Sequence, residues 1–262
     1  HGPALLSAWR GRRMQVSAEE QSSWTRRFME PVDSELRLVC FPHAGGSAAY
    51  FRPLAQSLAP RVEALCVQYP GRQDRRHEPL LDSVPALADA AFAALRPTLD
   101  GPFAFFGHSL GALVAFEVAR RFEQLTAQGP VRLFASARRA PSVARDERVH
   151  LRDDAGLIAE LTRLGGTADG LLTDDDLRAL VLPVVRADYR AAETYTAVPA
   201  NARLTCPISV FVGDADPVAL VPEARAWEAH TTGSTDLQVF SGGHFYLDGN
   251  TAAVARAVLD TL

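Results

Sequence analysis

The chain has 262 residues, 47% hydrophobic and 22% charged, a balance that suits a globular fold with a substantial core. Its 27 basic and 31 acidic residues leave a formal net charge of −4, which argues against a nucleic-acid binder. No apolar run reaches the roughly 18 residues that a membrane span needs. Cys40, Cys66 and Cys206 are odd in number and fit no metal motif, so they read as buried reduced thiols, with the cytoplasm as the default location.

Residues 1–33 read as an N-terminal extension outside the core, tag-derived or disordered in part. Arg10, Arg12 and Arg13 follow a short apolar patch, the wrong order for a secretion signal. The fold proper is expected over 34–262. It begins with a strand at Leu36–Phe41, a helix at Tyr50–Leu58, a strand at Val62–Tyr69 and a helix at Val84–Leu95. A strand at Phe103–Gly107, a helix at Gly111–Ala127 and a strand at Arg132–Ser136 follow. Several of these strands are unbroken apolar runs, as strands covered on both faces require. Between 140 and 204 no strand pattern appears, and two amphipathic segments, Asp153–Leu164 and Asp174–Tyr195, fill the interval. A structureless loop of that length is improbable in a compact domain, so the interval reads as a helical lid over the sheet's edge. Gly165-Gly166 and Gly170 punctuate it as a flexible joint. The alternation then resumes with a strand at Ile208–Gly213, a helix at Val221–His230, a strand at Leu237–Ser241 and a helix at Thr251–Leu262. Strand and helix in repeated alternation imply a mainly parallel sheet flanked by helices, an α/β fold in one domain.

Gly107-His108-Ser109-Leu110-Gly111 carries Gly-x-Ser-x-Gly between an apolar strand and a helical run. That context is the nucleophile elbow of α/β-hydrolases, a strained turn that exposes the serine at the top of the sheet. A serine hydroxyl needs a general base to attack at neutral pH. In this fold the partners follow in the order Ser, Asp, His. His244 lies just beyond the last strand. Asp214 and Asp216 both lie just beyond the Ile208 strand, and Asp216 is favoured because Pro217 imposes an extended conformation on it. Asp214 then serves as a turn residue that caps local N–H groups. Two backbone donors must stabilise a developing oxyanion. Leu110 is one. Ala44, in Pro42-His43-Ala44-Gly45-Gly46-Ser47, is the other, with Gly45 as the alternative. His108 should face away from substrate, and His77, His150 and His230 sit in polar stretches that read as solvated.

Pro42-His43-Ala44-Gly45-Gly46-Ser47, Gln68-Tyr69-Pro70-Gly71-Arg72, the elbow and Gly243-His244-Phe245 occur in that order. Over about residues 35–262 the chain thereby resembles the type II thioesterases, discrete editing enzymes of polyketide and non-ribosomal peptide synthesis in the α/β-hydrolase superfamily. The resemblance implies hydrolysis of stalled short acyl groups from the phosphopantetheine arm of acyl or peptidyl carrier proteins. It implies a Ser109–Asp216–His244 triad, a mobile lid and no metal or redox cofactor. Cyclising thioesterases carry their acid after an earlier strand, and here Leu133–Pro141 has no carboxylate. Acidic carrier proteins would dock on a basic rim, for which Arg72, Arg75, Arg76, Arg138, Arg139 and Arg145 are candidates. Nothing in the sequence demands more than a monomer. A carboxylesterase, an acyltransferase, or a non-catalytic binding protein on a hydrolase scaffold are the alternatives.

Overall fold

The computed structural model describes residues 23–30, 34–165 and 173–262. Among the described residues seven strands form one sheet: β1 (Thr25–Arg26), β2 (Arg37–Phe41), β3 (Glu63–Val67), β4 (Phe103–His108), β5 (Leu133–Ser136), β6 (Ile208–Gly213) and β7 (Thr235–Phe240). Their order is β1-β3-β2-β4-β5-β6-β7, parallel throughout except for β1, which runs antiparallel to β3. The helices are α1 (Arg52–Leu58), α2 (Val84–Leu95), α3 (Leu110–Leu125), α4 (Asp154–Arg163), α5 (Asp175–Glu193), α6 (Val221–Arg225) and α7 (Tyr246–Thr261).

Pleating divides each central strand between two cores. Leu38, Cys40, Ala104, Phe106 and Phe211 face one side, where Val254 and Val258 of α7 and Leu54 of α1 cover them. Val39, Phe41, Phe103, Phe105, Val210 and Val212 face the other, under α2, α3 and Trp227. Burial on both faces is why β2, β4 and β6 read as unbroken apolar runs. The three cysteines are buried and free, as expected. Among the described residues no helix is long and apolar enough to cross a membrane.

The described part of 140–204 contains no strand. Helices α4 and α5 occupy it, each opened by an aspartate that caps a backbone N–H: Asp153 accepts from Gly156 at 2.8 Å and Asp174 from Leu177 at 2.9 Å. Gly166 and Gly170, read as part of a joint, lie outside the described residues. Two expectations need correction. The N-terminal extension is not wholly separate from the core, because Thr25–Arg26 pairs with β3 and Trp24 is buried. The last helix begins at Tyr246 rather than Thr251, since a non-helical Asn250 splits it and the sequence pattern exposes only the second piece.

Candidate active site

The end of β4 turns directly into α3 at Ser109, whose backbone sits at φ +56° and ψ −118°. A non-glycine residue there is strained, and the strain holds because close packing leaves no other path. A Cβ at Gly107 would fall on the backbone of Gly111, and a Cβ at Gly111 would fall on the carbonyl of Phe41. Both flanking glycines are therefore required by contact between segments of backbone.

The turn after β6 supplies Asp216 and the turn after β7 supplies His244. His244 Nε2 lies 3.0 Å from Ser109 Oγ, and its Nδ1 lies 2.9 Å from Asp216 Oδ2. A carboxylate oxygen accepts, so Nδ1 carries the proton and Nε2 is free to take one from the serine hydroxyl. Asp216 Oδ1 accepts from the N–H groups of Val218 (2.9 Å) and Ala219 (3.3 Å), which fix the carboxylate. Asp214 instead accepts from the Gly242 N–H at 2.9 Å, pinning the turn that precedes His244.

A second chain of hydrogen bonds lies behind the imidazole. His108 Nε2–H donates to the His244 carbonyl oxygen at 3.1 Å, and its Nδ1 accepts from Ser136 Oγ at 2.8 Å. Ser136 Oγ lies 2.6 Å from the Tyr246 hydroxyl. His108 is buried and faces away from the cleft, and burial, together with the neighbouring His244, pushes its pKa well below the ordinary imidazole value. It stays neutral, as its two bonds require. The sequence signal for this brace is the strand-end position before the serine, which aims residue 108 at the opposite face.

Ser109, His244, Leu110 and Ala44 line one cleft with Tyr189, Glu193 and Leu161 of the helical insertion. Gly45, the alternative second donor, is already engaged: its N–H donates to Asp188 Oδ2 at 2.7 Å. That leaves Ala44 as the loop's candidate for the second donor. His43 also lines the cleft, and its place in a glycine-rich loop carries no sequence signal of a role. Burial, then the proximity of His244 and Arg72, lowers its pKa to about 3, so the ring next to the site is uncharged.

With this geometry in hand, comparison with known proteins is decisive. The model of the thioesterase domain matches residues 36–262. The chain belongs to the thioesterase family. It is 52% identical over 240 residues to thioesterase PikA5 of Streptomyces venezuelae, covering 91% of this chain and 85% of that protein. The structure of the type II thioesterase BorB from the borrelidin biosynthetic cluster superposes with a TM-score of 0.84 at 46% identity, covering 91% of this chain and 97% of that one. YbtT, a type II thioesterase of the yersiniabactin pathway, gives 0.83 at 30% identity, covering 90% and 97%. The fold is that of an α/β-hydrolase, and the enzyme is a thioester hydrolase.

Three of the six arginines assigned to a docking rim are not on a rim. Arg72 is buried and paired with Asp188. Arg75 is buried, stacks 4.5 Å over Trp24 and binds Glu78 and the Gln68 carbonyl. Arg139 is buried and paired with Glu147 at 2.7 Å. Arg138 is half-buried and reaches the Ala192 carbonyl at the end of α5. A guanidinium held inside the fold cannot meet a partner's carboxylates, which removes Arg72, Arg75 and Arg139 from a rim, while Arg138 and Arg139 line the cleft with Ser109. Arg145 is half-buried against Glu223, and Arg76 is exposed. Two histidines are corrected likewise. His230 is buried, donating from Nδ1 to the Ala202 carbonyl at 3.0 Å and accepting on Nε2 from Ser142. His150 is half-buried against Glu193. His77 is exposed.

Proposed function

We propose that the enzyme removes acyl groups from the phosphopantetheine arm of acyl or peptidyl carrier proteins in polyketide or non-ribosomal peptide synthesis, with Ser109, His244 and Asp216 as the triad. The contact of Ser109 Oγ with His244 Nε2 at 3.0 Å, beneath a helical cover, carries this reading. The names of the relatives support the pathway. Stalled or aberrant short acyl units are the proposed load. Helices α4 and α5 act as the lid.

Ser109 Oγ attacks the thioester carbonyl as His244 takes its proton. The N–H groups of Leu110 and Ala44 receive the oxyanion. The tetrahedral intermediate collapses, the carbon–sulfur bond breaks, and the imidazolium gives its proton to the departing pantetheine sulfur. Water then attacks the acyl-enzyme with His244 as base, and a free acid leaves. Asp216 holds the tautomer and stabilises the imidazolium. The scheme calls on no metal or redox cofactor. We place the enzyme in the cytoplasm as a monomer, with Arg76, Arg138 and Arg145 as the remaining candidates for carrier docking.

The test is release of acyl groups of different lengths from loaded carrier proteins, followed by mass spectrometry. Ser109→Ala should lower turnover by about 10³-fold or more. Near-normal turnover in that variant would remove the mechanism, and inertness of the wild type toward every loaded carrier would remove the substrate class.

A further inference from the structure

We propose that Asp188 is a positioning residue, one that ties the geometry of the oxyanion loop to the seating of helix α5. The inference rests on the reading of the Ala44 N–H as an oxyanion donor.

Asp188 belongs to the insertion, yet its carboxylate is fully buried against a different part of the chain. Its Oδ2 accepts from the Gly45 N–H at 2.7 Å and from Arg72 Nη2. Arg72 in turn donates from Nη1 to the Pro70 carbonyl at 2.7 Å and lies by Nε at 3.4 Å from the Gly46 carbonyl. One buried ion pair thus joins three segments: loop 42–47, loop 70–72 and α5. A second contact reinforces the first. Val185, one turn earlier on α5, sits 2.8 Å from where a Cβ of Gly45 would be, so helix and loop approach to a distance that only glycine permits. Gly45 also has φ +74°, a conformation that glycine adopts without strain.

The bond to Asp188 fixes the plane of the Ala44–Gly45 peptide. That plane sets ψ of Ala44, and with it the backbone around the proposed donor. An oxyanion hole works only when its donors are aimed before the charge develops. A charge-assisted bond from a carboxylate is suited to hold such a loop. The same helix lines the cleft through Tyr189, Ala192 and Glu193. A movement of α5 that widens the cleft therefore frees Gly45, and reseating restores it. Seating of the cover and alignment of the oxyanion hole become one event.

The test uses the whole enzyme and a small soluble acyl thioester, so that carrier docking does not enter. Asp188→Ala should lower kcat by about 10- to 100-fold with KM changed little. It should weaken inhibition by a trifluoromethyl ketone, which forms an oxyanion on Ser109, by a similar factor. Asp188→Asn keeps the side chain's volume and an acceptor for Gly45, and should recover part of both losses. Folded variants whose kcat and ketone affinity stay within twofold of wild type would overturn the proposal, as would a loss confined to KM. Where a variant does not fold, hydrogen exchange on the wild-type protein decides. The Gly45 amide should open together with the amides of α5, and exchange independent of α5 overturns the proposal. A wild type that neither hydrolyses acyl thioesters nor labels at Ser109 with a fluorophosphonate refutes the function itself, before any variant is made.

Discussion

Around Ser109 the structure is held by backbone against backbone, whereas across the cleft α4 and α5 combine apolar packing with a network of side-chain ion pairs. The elbow has no room for a Cβ at Gly107 or Gly111, and its strands carry two deep apolar cores. The insertion has a small apolar cluster of its own, Val149, Leu157, Ile158, Leu182 and Val185. Ala191 and Ala192 of α5 join the main core, and ion pairs add to this: Glu160 to Arg152 and Arg163, Asp154 to Arg186 and Glu193 to His150 within the insertion, and the buried Asp188 to Arg72 across to loop 70–72. Close packing has one solution, whereas ion pairs with an exposed partner, such as those of Arg152, Arg163 and Asp154, are individually weak. The half that does the chemistry is expected to be the stiffer of the two, which hydrogen exchange tests.

The most damaging change on the rigid side is Gly111→Ala. Its Cβ would meet the Phe41 carbonyl and lie 2.8 Å from that of Pro42, neither of which can yield without moving β2. A loss of about 4 kcal/mol is expected, read as the denaturation midpoint, together with loss of fluorophosphonate labelling at Ser109. A variant of wild-type stability would show that the elbow is softer than its packing implies. Asp216→Asn follows. It leaves the fold in place but removes the charge that holds the His244 tautomer, and kcat should fall by about 10³- to 10⁴-fold. Asp214→Asn, which touches only the Gly242 N–H, should fall far less, and equal losses would reassign the acid.

The same contrast decides what could be read in the sequence. Strands β2, β4, β5 and β6 are legible to within a residue or two because both of their faces are buried. The elbow is legible because backbone contact permits only glycine at two fixed positions. Strand β7 begins two residues earlier than its apolar pattern, since it lies at the sheet edge and carries Thr235 and Asp236. Strand β1 has two residues and no pattern to detect. Arginine is where sequence reasoning failed. Nothing local to Arg72 announces a carboxylate 116 positions away on the insertion. Its place after Pro70-Gly71, at the end of a buried strand, is the one available hint. Asp188 was missed for the same reason.

Acid separates the two halves by a smaller margin. His43 and His108 are buried and uncharged, with pKa values depressed by burial, that of His43 to about 3. In the unfolded chain both titrate near 6.5, so below about 6.5, and down to about 3 for His43, the unfolded state binds protons that the folded state refuses. Stability is then complete above about pH 6.5 and declines as pH falls, by up to about 1.4 kcal/mol per pH unit for each ring. Urea titrations at pH 7.5, 6 and 5 read this directly, and His43→Phe should make the slope shallower. A pH-independent midpoint over that range would mean that these rings are protonated in the folded protein.

The smallest effect belongs to the cover. The side chains of Arg152 and Arg163 are each 48% exposed while they contact the buried Glu160. Such pairs contribute about 0.2–1 kcal/mol and are screened by salt, whose Debye length shrinks to roughly 3 Å at 1 M. Glu160→Gln should therefore lower the global midpoint hardly at all. Its local effect should be visible in hydrogen exchange, with α4 amides losing protection while those of β4 and α3 keep theirs. Raising salt from 0.1 to 1 M in the wild type should move the same amides in the same direction, because it weakens the same attraction without altering a side chain. If β4 and α4 respond equally, the insertion is packed as tightly as the sheet it covers, and these ion pairs do not set its protection.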